Sequence, residues 1–217
     1  QPKFKGNQIW QWLWQKRALS FNEMTSLSIN FRKILDNSFV IRPIKIHNSY
    51  KSVDGTIKYS FKLYDSHLVE GVLIPSKNRL TACISSQVGC SLACSFCATG
   101  TLKLRRNILA CEIYDQAFLL NNEAIQKFNR PISNIVFMGM GEPLLNYNAV
   151  LSSINFITSK TGLGMSAKRI TVSTAGIAKM IKKLADDKIK FNLAISLHSA
   201  NDITRNKLMP INKKIDL

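Results

Sequence analysis

The feature that most limits what this chain can be is a run of three cysteines within eight residues, Cys90, Cys94 and Cys97, spaced C-x3-C-x2-C. Disulfide frameworks spread an even number of cysteines along a short secreted chain. Here five cysteines stand in 217 residues, at 83, 90, 94, 97 and 111. The start, QPKFKGNQIWQWLW, has neither a long apolar region nor a small-residue cleavage site. The apolar runs are too short to cross a bilayer. These features predict a cytoplasmic protein with reduced thiols and no membrane partner.

Three thiolates at this spacing can grip three corners of an iron–sulfur cubane and leave the fourth iron without a protein ligand. An open position is what a reactive metal centre keeps and a structural one fills. The competing reading is structural zinc, which wants four ligands, usually as two separated pairs. Only Cys83 and Cys111 remain among the thiols, and His67 is distant in sequence.

The rhythm around the cysteines sets the fold class. Ile9, Trp10, Leu13 and Trp14 recur at helical spacing, and a second helix is predicted from Phe21 to Asn37. Their aromatics suit core packing or stacking on bases. Residues 57–63 alternate with a period of two after the turn signal Asp54-Gly55, and 68–74 read as a partner strand. From residue 78 strands and helices alternate. Strands are expected at 80–85, 134–140, 169–174 and 191–197, and helices at 111–127, 150–159 and 178–185. The strands are apolar, as strands covered on both faces are. Such alternation implies parallel strands, and four are too few to close a barrel. The expectation is an α/β chain in three parts. Residues 1–42 form a small helical accessory domain, 43–77 an antiparallel β linker of two strands or more, and 78–217 an incomplete (β/α) barrel.

Thirty Lys and Arg face thirteen Asp and Glu, a formal charge of +17. A surplus of this size attracts polyanions, nucleic acid foremost. Lys103, Arg105 and Arg106 sit beside the cysteine loop, as phosphate contacts or as a solvated run.

C-x3-C-x2-C after a first strand resembles the signature of radical S-adenosylmethionine enzymes. The longer stretch from Cys83 to Gly100, CISSQVGCSLACSFCATG, is narrower. It is similar to the dual-specificity adenine-C2 methyltransferases of 23S ribosomal RNA and transfer RNA. GMGEPLLN at 139–146, ITVSTAG at 170–176, LAISLHS at 193–199 and MPINKK at 209–214 agree with that family in order and spacing. QIWQW at 8–12 and FNEMT at 21–25 resemble its helical accessory domain.

The resemblance implies a [4Fe–4S] cluster on Cys90, Cys94 and Cys97, with S-adenosyl-L-methionine chelated to the open iron. It implies that Gly141 and Glu142 take the methionine moiety of that cofactor, and that Ser173, Ser196, Leu197 and His198 contact its ribose and adenine. Without the family, the same residues read as a turn, a helix cap and a structural histidine. Glu70 matches the proposed general base that removes the adenine C2 proton, a task that partial burial would favour by raising its pKa; alone it reads as the outward member of an edge strand. Cys83 matches the thiol that resolves a protein–RNA adduct, while Cys111 reads as a buried thiol. The family's other catalytic cysteine carries the methyl group near the carboxyl end. No residue here matches it, so the chain is expected to be truncated and inactive as it stands.

The implied partners are 23S rRNA and tRNA, presenting an unstacked base, and an electron donor such as flavodoxin, acting on a monomer. Two alternatives remain: a C8-adenine methyltransferase of the same ribosomal RNA, and a non-catalytic, zinc-stabilised RNA-binding module.

Overall fold

The computed structural model describes residues 3–217. Among these residues nine strands follow one another: β1 (Lys45–Lys51), β2 (Ile57–Lys62), β3 (Leu68–Pro75), β4 (Leu80–Cys83), β5 (Gln87–Val88), β6 (Arg106–Asn107), β7 (Asn134–Phe137), β8 (Ile170–Thr174) and β9 (Asn192–Ile195). The helices are α1 (Lys3–Trp14), α2 (Ile29–Ser38), α3 (Ala110–Phe128), α4 (Tyr147–Thr158), α5 (Ala178–Asp186) and α6 (Asp202–Leu208). Seven strands make one sheet in the order β1-β2-β3-β4-β7-β8-β9. The ladders from β1 to β4 are antiparallel and those from β4 to β9 parallel. β5 and β6 form a separate short pair.

Residues 43–77 hold three strands, and the third pairs with β4. That stretch is therefore continuous with the parallel sheet. The period-two pattern explains why. Ile57, Tyr59 and Phe61 on β2, with Val69, Gly71 and Leu73 on β3, are buried on one face. That face lies under α3, where a Cβ on Gly71 would meet Leu120 at 3.4 Å and crowd the Phe61 ring at 2.7 Å. Tyr59 completes the contact by donating its hydroxyl to Glu123 Oε2 at 2.9 Å. The parallel strands continue the same layer with Leu80, Ala82, Ile135, Phe137, Ile170 and Val172, all at 0–1% exposure.

The opposite face differs from expectation. Asn134, Val136, Thr171 and Ser173 are half-buried, and most of β9 is exposed. The parallel strands are thus covered on one face only. Their apolar look comes from β-branched residues, which suit a pleated strand whether or not the second face is covered.

The helical module also departs from its expected outline. Residues 21–23 make one 3-10 turn, and α2 starts at Ile29 because Ser28 Oγ accepts the Phe31 N–H at 3.4 Å and caps it. The chain from Thr25 to Ser28 offers hydroxyls that compete with helical hydrogen bonds, so a continuous helix does not form. Its aromatics serve as packing. Trp14 stacks on Phe156 at 4.2 Å and meets Tyr114 edge-on at 5.3 Å. Arg17 bonds Asp115 of α3 at 2.5 Å and ties the module to the core. A short helix, α6, and a 3-10 turn at 210–213 fill the last stretch. Among the described residues no helix is long and apolar enough to cross a membrane.

Leu120→Ala should cost about 3 kcal/mol of stability, because it empties the contact over Gly71. A urea titration checks this, and a loss well under 1 kcal/mol would show that α3 does not anchor this sheet.

Candidate active site

β4 ends at Cys83, and the next five residues are all buried, polar Ser85, Ser86 and Gln87 among them. Buried polar groups need partners, and theirs build the site. Ser85 Oγ donates to the Glu70 carbonyl at 2.5 Å and accepts the Met140 N–H at 2.8 Å. Its backbone exchanges two bonds with the Gln116 amide. Gln87 Oε1 accepts the Glu142 N–H at 2.8 Å. Asn146 Nδ2 donates to the carbonyls of Ser86 and Ile108, both at 2.8 Å. Gly141 lies at φ +94°, and a Cβ there would fall 2.4 Å from the Gln87 side chain. Only glycine allows both the backbone angle and the approach.

Above this scaffold the cysteine loop turns at Gly89, where a Cβ would lie 2.2 Å from the Lys103 carbonyl. The Cys97 N–H donates to Cys94 O at 3.1 Å, and the Gly100 N–H to Cys97 O at 2.9 Å. The three thiols are half-buried on one tight coil. Burial pushes the thiols of Cys90 and Cys94 up, and nearby charge adds to it. Cys90 feels Glu142 and Cys97, and Cys94 feels Cys90 and Cys97. The sequence-predicted ligands therefore share one electrostatic neighbourhood. Among the described residues, no three Cys, His, Asp or Glu side chains stand close enough to share a single ion. A cubane makes a different demand, one thiolate for each of three irons at separate corners. The donor set, three clustered soft thiols without a fourth, fits that demand.

Glu142 is 3% exposed. Its Oε1 accepts the Leu144 N–H at 3.1 Å and its Oε2 the Ala175 N–H at 2.8 Å. Burial raises its pKa, while these bonds oppose the rise. Each oxygen keeps acceptor capacity for one further donor. Ser173 Oγ and Ser196 Oγ stand 3.2 Å apart, joining the ends of β8 and β9. His198 holds φ +58°, and its ring packs on Phe96 of the cysteine loop at 4.0 Å. The backbone and hydroxyl of Ser95 both donate to Leu208 O, at 2.9 and 3.4 Å. The cysteine loop, β9 and α6 thus close around one mouth.

Sequence reasoning missed Arg205, the brace of that mouth. It is 4% exposed and makes no ion pair among the described residues. Its Nη2 donates to Ala175 O at 2.7 Å, its Nε to Leu197 O at 3.1 Å, and its Nη1 to Asn212 Oδ1. No sequence signal marks it, because its partners are two carbonyls and one amide that only the fold brings together.

Glu70 and Cys83 lie on the open face. Val72 is opposite Cys83 across the β3–β4 ladder, so the two side chains share a side. Glu70, two residues from Val72, points the same way. Cys83 pairs with Val136 and Val136 with Thr171, which places Ser173 on that side too. Glu70 faces outward and is half-exposed, though β3 is an inner strand paired on both sides and not an edge, and its Oε1 meets Lys58 Nζ at 3.0 Å. Its strand is third from the sheet edge, and among the described residues no layer covers its open face. Cys83 is 8% exposed, and burial pushes its thiol up to about 11. Cys111 was expected to be buried but is exposed at the first turn of α3, facing the helical module.

A model of the radical SAM superfamily matches residues 84–216, and a model of the ribosomal RNA large subunit methyltransferase N-terminal domain matches residues 1–41. The chain is 57% identical to a probable dual-specificity RNA methyltransferase RlmN of Flavobacterium psychrophilum, over 99% of this chain and 62% of that protein. It is 56% identical to the protein of the same description from Cytophaga hutchinsonii, covering 59% of it. The crystal structure of a radical SAM methyltransferase from Sphaerobacter thermophilus superposes with a TM-score of 0.89 at 36% identity, over all of this chain and 63% of that one. The chain spans about three fifths of the length of these relatives.

Iodoacetamide at mildly alkaline pH should label Cys111 well before Cys83, since the thiolate is the reactive form and Cys83 is the more deeply buried of the two. Peptide mass spectrometry over a time course reads this. Equal rates would show that β4 opens in solution.

Proposed function

Because the chain belongs to the radical SAM superfamily and resembles RlmN methyltransferases from end to end, we propose that the whole protein methylates C2 of adenine in 23S ribosomal RNA and transfer RNA. The observation that carries this reading is the shared open face. Glu70 and Cys83, a carboxylate and a thiol, lie on one side of adjoining strands, beside a coil of three thiols.

Cys90, Cys94 and Cys97 would hold the [4Fe–4S] cluster. Together with S-adenosylmethionine, that cluster supplies one-electron chemistry able to reach an unactivated C–H bond. Gly141 opens the backbone for the cofactor's methionine end, and Glu142 offers its spare lone pairs to the ammonium. Ser173 and Ser196 present paired hydroxyls to the ribose, and Leu197 and His198 border the adenine. C2 of adenine is electrophilic and has no lone pair for ordinary methyl transfer, which is why radical chemistry suits it. Glu70 then accepts the C2 proton. Its ion pair with Lys58 at 3.0 Å holds the carboxylate on the open face, where the base arrives. Cys83 stays a thiol at neutral pH until a base draws its proton, which keeps it unreactive before the adduct forms.

In this proposal residues 1–42 are the accessory domain, 43–77 carry the base, and 78–217 form the cofactor-binding part of the barrel. The enzyme is a cytoplasmic monomer reduced by a flavodoxin-like donor, and the methyl-carrying cysteine lies outside these 217 residues.

The test uses the full-length protein, reconstituted anaerobically and given unmodified ribosomal RNA fragments. Nucleoside mass spectrometry should find 2-methyladenosine, and Glu70→Gln should lower its rate at least about a hundredfold. 8-Methyladenosine would move the protein to the C8 class, and no methylated adenosine from a loaded enzyme would end the reading.

A further inference from the structure

We propose that the open face of β1–β3 is a track for single-stranded RNA, which carries the nucleotides flanking the target base. This rests on the reading above, since it takes Glu70 and Cys83 as the place where the base arrives.

The face is set by register. Lys45 lies opposite Lys62, Tyr50 opposite Lys58, and Ser60 opposite Glu70. Opposed residues share a side, so Lys45, Tyr50, Lys58 and Lys62 all point the way Glu70 points. The other side of β2 is buried under α3. The three lysines are exposed, and Tyr50 is 62% exposed. Lys58 is engaged with Glu70, the one carboxylate among these groups. Among the described residues Lys45 and Lys62 have no ion pair. Two uncompensated ammonium groups therefore stand on the same face as the proposed base, Lys62 on the adjoining strand and Lys45 one strand further out.

Direction follows from what occupies the rest of the face. The ends of β7–β9, braced by α6 and the cysteine loop, take the cofactor groups. A base that reaches Glu70 and Cys83 leaves its neighbours only the β1–β3 side. Lys58 and Lys62 are four residues apart on one strand, about 13 Å, so they cannot serve the same phosphate. They would contact successive positions along a chain. Tyr50 adds a ring on which an unpaired base can stack. Sheet faces that combine exposed cations with an aromatic ring suit single strands, because a duplex hides its base faces. The target must in any case leave its stack.

The experiment measures binding of a fluorescent stem–loop RNA, with an adenine in its loop, to the anaerobically reconstituted full-length protein across a salt series. Lys45→Gln/Lys62→Gln should weaken binding at least about tenfold at low salt and flatten the log–log salt slope by about 0.7 to 1.4, for one phosphate shared by the opposed pair or one for each lysine. Tyr50→Ala should weaken binding without changing the slope. Lys179→Gln/Lys182→Gln, exposed on α5, should match the parent, and every variant should keep the parent's iron–sulfur absorbance. RNA should also shield Lys45 and Lys62 from acylation. Parent-like affinity and slope for Lys45→Gln/Lys62→Gln would overturn the track and leave the methylation reading untouched. So would acylation of both lysines blocked equally without RNA, which would mean that the protein's own chain covers the face. A loaded parent that binds no RNA would sink both proposals.

Discussion

The hydrogen bonds of Ser85 and Gln87 hold the candidate site together. These two side chains sit in the buried link between β4 and the cysteine coil, and each joins parts of the chain far apart in sequence. Ser85 Oγ ties the Glu70 carbonyl on β3 to the Met140 N–H after β7. Gln87 fixes Glu142, which itself clasps the start of its own turn and the end of β8. In a low-dielectric interior such a network is rigid only when every member is satisfied. Here the bonds that fix the strand of the proposed base and the buried carboxylate run back to these two residues, at the foot of the thiol coil.

The two faces of the sheet divide the labour. One is apolar and pressed against α3, α4 and α5, where burial stabilises the fold. The other is half-open and carries Glu70, Cys83, Ser173 and the lysines of β2. A period of two separates these roles residue by residue along each strand. A shift of one residue in the β2–β3 ladder would turn Glu70 into the core and Val69 out to solvent. Core packing therefore also fixes the position of the chemistry.

Much of this was legible in the sequence. The cysteine spacing, the strand–helix alternation and the motif order gave the superfamily, and each of the four expected parallel strands is present within a few residues of its expected place. What escaped was set by tertiary contact. β1 reads as polar because it is exposed on nearly every residue, and pairing with β2 alone makes it a strand. The break at 24–28 depends on one serine cap. Glu70 was legible as an outward residue, but not that its strand is an inner one, paired on both sides. Arg205 was invisible because three of its partners are two carbonyls and an amide brought together by the fold. Such contacts leave no periodic trace.

The central claim is that three thiolates leave one iron of a cubane open to a sulfonium cofactor. Electron paramagnetic resonance of the reduced, anaerobically reconstituted full-length protein tests it most directly. The account predicts about four irons per chain, a reduced-cluster signal, and a clear change in that signal when S-adenosylmethionine is added. Both the signal and its change should be lost in Cys94→Ala. A signal that the cofactor leaves unaltered, or stoichiometric zinc in place of iron, would contradict it.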